Sequence, residues 1–217
     1  MVLQEGVVEG RKVFGNITKY IKMGASSNFG NMFSVLGASL FLPFLPMAPI
    51  QVLTNNLLYD FSQTAIPTDN VDDDYMAAPR RWDIDNIFKF MVLIGPISSI
   101  FDYATYAMML FVFNCWANPS LFQTGWFVES LLTQTLIIHI IRTAKIPFVE
   151  SRASPALITT SLIISTVGIA LPFTWVGNAL GFTPLPWLYW PLVTIMLISY
   201  AVLTHVVKAW FVRRGGL

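Results

Sequence analysis

Side chains that bind hard cations recur in two long apolar segments in the first third of the chain. Asp60 follows Asn56 by four residues, and Asn28 precedes Asn31 by three, so each pair shares one face of a helix. Carboxylate and amide oxygens are the ligands of Mg²⁺ and Ca²⁺. The four residues therefore predict a cation site, and Tyr59 beside Asp60 is a further candidate ligand. For Asn28 or Asn31 alone, hydrogen bonds between helices are the alternative.

Two more carboxylates fall in apolar segments, where an ionised carboxylate costs about 2.5–3.5 kcal/mol at the bilayer centre. Asp102 has Ser98 and Ser99 one helical turn before it. It is either a second contact for the ion or the centre of a buried hydrogen-bond cluster. Glu129 is expected near the end of its segment, where its side chain reaches water and has a structural role.

The elements that must position these side chains follow from an apolar composition. Hydrophobic residues make up 55% of the 217 residues and charged residues 12%, whereas soluble domains have about 25% charged residues. This excludes a soluble globule, and the net charge of +1 argues against a nucleic-acid partner. The single cysteine, Cys115, excludes an intrachain disulfide and a multi-cysteine metal site.

Six apolar segments are long enough to cross a membrane as helices, each of which needs roughly 20 apolar residues. No charged residue occurs at 23–59 or at 153–207, and each of these runs has room for two helices. Prolines 43, 46 and 49 divide the first run. The predicted fold class is all-α, a polytopic membrane helix bundle with six transmembrane helices. They lie at about 24–45, 48–66, 87–113, 125–142, 156–174 and 187–208.

Lysine and arginine predict the orientation, because short cytoplasmic loops carry an excess of them. All 13 lie in the N-terminal segment, around the loops after the second and fourth predicted helices, or at the C-terminal end. Both termini are therefore expected in the cytoplasm. The predicted domains are a cytoplasmic stalk at 1–23, a six-helix transmembrane transport domain at 24–208 and a cytoplasmic tail at 209–217.

The loop at 67–86 contains four closely spaced aspartates. It lacks the alternating ligands and the central glycine of a calcium-binding loop. We expect it to be a solvated acidic loop. The four residues are Asp69, Asp72, Asp73 and Asp74.

Several stretches of the sequence are similar to the C-terminal membrane half of P-type cation ATPases. Asn56-Leu57-Leu58-Tyr59-Asp60 resembles the ion-binding motif of the sixth membrane helix in that family, and residues 26–31 resemble the fifth helix. The longer stretches resemble the bacterial magnesium-transporting subfamily from about residue 3 to the C-terminus, over helices five to ten. They are KMGASSNFGNMFSVL, FLPFLPMAPIQ, NNLLYDFSQTAIPTDNVDDD, GPISSIFD, GWFVESLLTQTLIIHIIRT and GIALPF.

This resemblance implies a site, an ion and a location. Asn28 and Asn31 correspond to fifth-helix contributors, and Asn56 and Asp60 to sixth-helix ligands. The family's calcium pumps carry a carboxylate where Asn31 stands, so the implied site is less charged and suits Mg²⁺ as the transported ion. The implied location is the bacterial inner membrane. The implied partners are the lipid bilayer, the divalent cation and the N-terminal half of the pump.

The motifs for ATP hydrolysis are missing from the 217 residues. There is no D-K-T-G or T-G-E-S sequence, so ATP acts only through a headpiece outside this chain, and whether the chain itself is an enzyme stays open. The expected function is the ion-translocation part of an ATP-driven magnesium importer, present as a truncated product or fragment. The alternatives are a passive divalent-cation channel, a secondary transporter that uses Asp60 without ATP, and an inactive fragment.

Overall fold

The computed structural model describes residues 2–214, and within this range the chain is helical and contains no β-strand. The all-α prediction is therefore confirmed for these residues. Met1 of the predicted stalk and residues 215–217 of the predicted tail lie outside them. The α-helices are α1 (Val2–Ala38), α2 (Pro49–Gln63), α3 (Asp73–Met76), α4 (Ile84–Ala107), α5 (Pro119–Ile141), α6 (Pro155–Ala170), α7 (Trp175–Ala179) and α8 (Tyr189–Arg213).

Local sequence signals set the helix starts. Helices α2, α5 and α6 each begin at a proline, whose missing N–H is not needed in the first turn. The side chains of Asn118 and Ser154 accept hydrogen bonds from backbone amides three residues later, which caps α5 and α6. The starts of α2, α4, α6 and α8 lie within three residues of the predicted ones, whereas α5 begins at Pro119 rather than at 125.

Two helix ends differ from the predicted ones. Helix α1 ends at Ala38 rather than at 45, since Pro43 and Pro46 follow and the chain needs a turn before α2. Helix α8 continues to Arg213, into the segment predicted to be the tail. Helix α4 is prolonged by a π-helical turn at Met108–Val112, and α6 by a 3₁₀ turn at Leu171–Phe173.

Among the described residues 2–214, four helical segments are long and apolar enough to cross a bilayer. Their lengths support a multi-pass membrane protein. Helix α2 has only 15 residues, or about 22 Å at 1.5 Å per residue, which is shorter than the roughly 30 Å hydrocarbon core. The four segments are Ile84–Val112, Pro119–Ile141, Pro155–Phe173 and Tyr189–Arg213.

Helix α5 forms the centre of the bundle, and α2, α4, α6 and α8 pack around it. Helix α1 packs mainly along α4. Glycine allows this close approach, because a Cβ atom on Gly30 would lie 2.8 Å from the carbonyl oxygen of Gly95. Ser99 Oγ donates a hydrogen bond to the carbonyl oxygen of Gly30 at 2.9 Å. Backbone contact thus fixes α1 against α4.

A buried ion cluster joins three segments at one end of the bundle. The fully buried carboxylate of Asp69 accepts hydrogen bonds from Lys19 Nζ at 2.8 Å, Arg142 Nε at 2.8 Å and the backbone N–H of Ser154 at 3.0 Å. Burial opposes ionisation of Asp69, but Arg142 and Lys19 outweigh it and hold its pKa below the usual value. The prediction of a solvated loop is therefore wrong for Asp69.

The other three clustered aspartates differ in their contacts and exposure. Asp72 accepts hydrogen bonds from the hydroxyls of Thr143 and Ser151, which connects the loop to the segment after α5. Asp73 and Asp74 are exposed, as expected for a solvated loop. Of the four clustered aspartates, Asp69 and Asp72 therefore bind the neighbouring segments, whereas Asp73 and Asp74 are exposed.

Candidate functional site

Helix α2 carries polar side chains on two different faces, one exposed and one buried. Asn56 and Asp60 are exposed, whereas Asn55 and Tyr59 are buried. This is the consequence of helical geometry, in which consecutive residues are about 100° apart and residues four apart share a face. The predicted pairing of Asn56 with Asp60 on one face therefore agrees with the helix that forms.

Hydrogen bonds on the buried face fix the rotation of α2. Asn55 Nδ2 donates to the carbonyl oxygen of Phe127 in α5 at 3.2 Å, and Asn55 Oδ1 accepts from Gln134 Nε2 at 3.1 Å. Gln51 Nε2 donates to the carbonyl oxygen of Leu180 at 2.9 Å. Since these bonds hold α2 against α5, Asn56 and Asp60 must face away from the centre of the bundle. Asn55, Gln51 and Gln134 were not among the predicted site residues.

Asp60 lines a cleft between α1 and the C-terminal end of α2. The cleft has a volume of about 480 Å³. Asn16, Ile17 and Tyr20 of α1 form one part of its wall, and Asp60 and Gln63 form another. Of the four predicted ligands, Asp60 lines this cleft, whereas Asn28, Asn31 and Asn56 do not.

The predicted α1 residues lie on the partly open side of that helix. Asn28 is exposed and Asn31 is half-buried. Within residues 2–214, no hydrogen bond from another side chain engages Asn28, Asn31, Asn56 or Asp60. Their oxygens are thus free to bind a ligand. The described residues contain no group of three His, Cys, Asp or Glu side chains suited to a metal. A cation bound at the exposed face of α2 would therefore rely on one carboxylate and neutral oxygens.

Tyr59 faces a different direction from Asp60. Its side chain is buried, and its hydroxyl faces Ser27 of α1 and Gln63 without forming a hydrogen bond to either. Tyr59 therefore packs α2 against α1, and the structure does not bring it to the exposed face that carries Asn56 and Asp60.

Asp102 lies in a buried hydrogen-bond cluster between three helices. Its carboxylate accepts one hydrogen bond from Ser34 Oγ of α1 and another, at 2.7 Å, from Trp126 Nε1 of α5. The side chain is 1% exposed. Asp102 thus joins α1, α4 and α5, and it is separated from the exposed face of α2.

Glu129 is fully buried in α5, and the expectation that its side chain reaches water is wrong. Neither carboxylate oxygen has a hydrogen-bond partner among residues 2–214. Sequence periodicity does not predict the burial of Glu129, because α5 is apolar around its whole circumference. This is the pattern of a helix at the centre of a bundle. The sequence signal that could have identified Glu129 is the presence of a carboxylate in an otherwise apolar helix.

The family of the chain follows from comparison with known proteins. The family model described as "Cation transporting ATPase, C-terminus" matches residues 44–210, most of the chain. The chain therefore belongs to the family of cation-transporting ATPases, of which it contains the C-terminal membrane part.

Similar proteins include relatives described as magnesium-transporting ATPases. In an alignment of 218 positions that covers all of this chain, it is 52% identical to "Magnesium-transporting ATPase, P-type 1" of Salmonella typhimurium (strain LT2). It is 53% identical to the protein of that description from Escherichia coli (strain K12). "Calcium-transporting ATPase" of Bacillus subtilis (strain 168) is 25% identical over 195 residues, 86% of this chain. The chain spans 24% of the magnesium-transporting relatives and 22% of the calcium-transporting one.

Proposed function

We propose that this chain is the ion-translocation part of a magnesium-transporting P-type ATPase, and that Asp60, Asn56, Asn28 and Asn31 contribute ligands to Mg²⁺. The exposed face of α2 is the observation that carries the proposal. A carboxylate on the outside of an apolar helix is costly in lipid, so this face needs a polar neighbour. A hydrated cation, together with a further helix of the pump, provides one.

The chemistry of the four residues suits Mg²⁺. This ion keeps several of its waters and binds through one or two carboxylates. Asp60 supplies one charged oxygen, and the asparagines supply neutral oxygens that hold the remaining waters. The relatives at 52% and 53% identity are described as magnesium-transporting ATPases, which supports the same ion.

Six crossings with both termini in the cytoplasm are part of this proposal. The segments that carry the basic residues meet at one end of the bundle, where Lys19 and Arg142 bind Asp69 and Lys208 binds the carbonyl oxygens of Ile140 and Thr143. Basic residues collect on the cytoplasmic side of membrane proteins. We place this end in the cytoplasm and the bundle in the bacterial inner membrane.

Helix α1 is proposed to couple the site to ATP. It is continuous from Val2 to Ala38, which supports a stalk at the N-terminal end. The proposed division of the chain is a stalk at 1–23, a transport domain at 24–208 and a tail at 209–217. A helix of 37 residues is about 55 Å long at 1.5 Å per residue. Movement of a phosphorylated headpiece at its cytoplasmic end is transmitted along it to Asn28 and Asn31.

The test replaces Asp60 with asparagine in a full-length pump. The 217 residues replace the corresponding part of the E. coli magnesium-transporting ATPase, and uptake is measured against external Mg²⁺ at matched expression. Asp60→Asn should abolish uptake while leaving membrane insertion intact, because it removes the charge and keeps the shape. Asp73→Asn, on the exposed part of the acidic loop, is the matched control. Near-normal uptake by Asp60→Asn refutes the proposed site.

A further inference from the structure

A cavity that is separate from the Asp60 cleft lies at the basic end of the bundle. It has a volume of about 310 Å³. Its wall combines the side chains of Lys22 and Arg80 with the aromatic rings of Phe90 and Phe211. The cavity thus offers positive charge and apolar surface together, and none of the proposed ion ligands lines it.

Lys22 is a buried cation without a counter-ion. Its side chain is 8% exposed, and within residues 2–214 its ammonium forms no hydrogen bond or ion pair. Lys22 Nζ lies over the ring of Phe90, 5.2 Å from the ring centroid, in a cation–π contact. A cation–π contact supplies less than a hydrogen-bonded partner. The stem of Lys22 is buried, and its ammonium keeps some access to the cavity, where it can accept an anionic partner.

The other lysines of the cavity have their partners already. Lys19 binds Asp69, and Lys208 Nζ donates to three carbonyl oxygens, those of Ile140, Thr143 and Lys145. Of the cations in the wall, Lys22 and Arg80 form neither an ion pair nor a side-chain hydrogen bond within the described part of the chain. The guanidinium of Arg80 lies over the ring of Tyr75, 5.2 Å from its centroid.

Asp72 and Asp74 also line the cavity, and they and the neighbouring Asp83 have other partners. Asp72 is held by Thr143 and Ser151, and Asp74 Oδ2 lies 3.5 Å from Lys145 Nζ. Asp83 caps α4 by accepting a hydrogen bond from the N–H of Asn86. Burial lowers the pKa of Lys22 to about 8 while Asp83 and Arg80 act on it with opposite signs. Lys22 is therefore still mostly charged at neutral pH.

We infer that this cavity binds a phosphate group, with Lys22 and Arg80 as its cationic ligands. An arginine fork pairs with two phosphate oxygens, and a lysine ammonium adds a compact positive charge. A bound phosphate supplies the acceptors that the Lys22 ammonium lacks. The rings of Phe90 and Phe211 further suit an apolar group attached to that phosphate. The source is the headgroup of an anionic phospholipid or free phosphate.

The purified 217-residue chain in nonionic detergent provides the test. Binding of phosphatidylglycerol and of the zwitterionic phosphatidylcholine is titrated by native mass spectrometry. Binding of inorganic phosphate is titrated separately by ³¹P NMR. Lys22→Met removes the charge and retains an unbranched side chain beside Phe90. Lys89→Gln removes a charge from an exposed position of α4, at the same end of the bundle, and is the matched control.

We expect Lys22→Met and Arg80→Gln each to weaken binding at least tenfold, and Lys89→Gln to bind as the wild type does. Selective retention of phosphatidylglycerol identifies a lipid headgroup, and saturable binding of inorganic phosphate identifies a free anion. Arg80 is exposed, so its variant tests the site even if Lys22→Met does not fold. Binding of neither probe, or equal losses in Lys89→Gln, overturns the inference.

Discussion

Replacing Asp69 with asparagine isolates what the buried ion cluster contributes to stability. The carboxylate oxygen Oδ2 accepts from both Lys19 and Arg142 at 2.8 Å, and Oδ1 accepts from the N–H of Ser154. Asparagine retains one acceptor for Ser154. It replaces the other oxygen with an amide nitrogen, which carries no negative charge for the two cations.

The size of the effect follows from what the two cations retain. Removing one partner of a buried ion pair costs about 3–5 kcal/mol. Lys19 is 11% exposed and regains water, whereas Arg142 is 1% exposed. Arg142 still donates to the carbonyl oxygens of Asn70, Ser151 and Arg152. We therefore expect a loss near the lower limit, about 3 kcal/mol.

The assay is reversible unfolding in mixed micelles of nonionic detergent and dodecyl sulfate, monitored by helical circular dichroism. Asp73→Asn, which is exposed, should change the free energy of unfolding by less than about 0.5 kcal/mol. The double variant Asp69→Asn with Arg142→Gln should cost less than the sum of the two single variants, since the charges interact directly. A loss below about 0.5 kcal/mol for Asp69→Asn would refute the reasoning.

The same variant has a defined pH dependence. The pKa of Asp69 is below its usual value in the folded chain, so its contribution is fully present above the unfolded pKa of about 3.9. It is lost as the pH falls through the lower folded pKa. The difference in unfolding free energy between wild type and Asp69→Asn should therefore be constant from pH 5 to 7 and should shrink below about pH 4. A constant difference down to pH 2 contradicts this explanation.

Two further predictions concern helix packing and catalysis. In the same unfolding assay, Gly30→Ala should destabilise the bundle by about 1–3 kcal/mol, because its Cβ would lie 2.8 Å from the Gly95 carbonyl oxygen. The control Gly24→Ala should be neutral or stabilising, because no atom lies within 4 Å of its Cβ. The purified chain alone should show no magnesium-dependent ATP hydrolysis in a coupled phosphate-release assay, because the D-K-T-G and T-G-E-S sequences are absent; measurable hydrolysis free of contaminating pumps would contradict this.

The sequence by itself determined the long helices, and it placed the starts of α2, α4, α6 and α8 within three residues, although α5 begins six residues before its predicted start. Charge-free runs between basic clusters indicated helices, because a backbone in lipid must satisfy its hydrogen bonds internally. Pro49, Pro119 and Pro155 begin three of them, since proline at a first turn loses no hydrogen bond. The spacing of Asn56 and Asp60 predicted their common face, because that property depends on one helix alone. The motifs around these residues also indicated the family before any contact was known.

Only the tertiary structure decided which polar groups are buried and what they contact. Asp69 and Asp73 look alike in an acidic loop, yet one is fully buried between Lys19 and Arg142 and the other is exposed. Glu129 lies at the centre of the bundle because four helices surround α5, and a helix that is apolar on every side gives no periodicity from which to read its orientation. The burial of a side chain depends on the packing partners of its helix, and these come from distant parts of the chain.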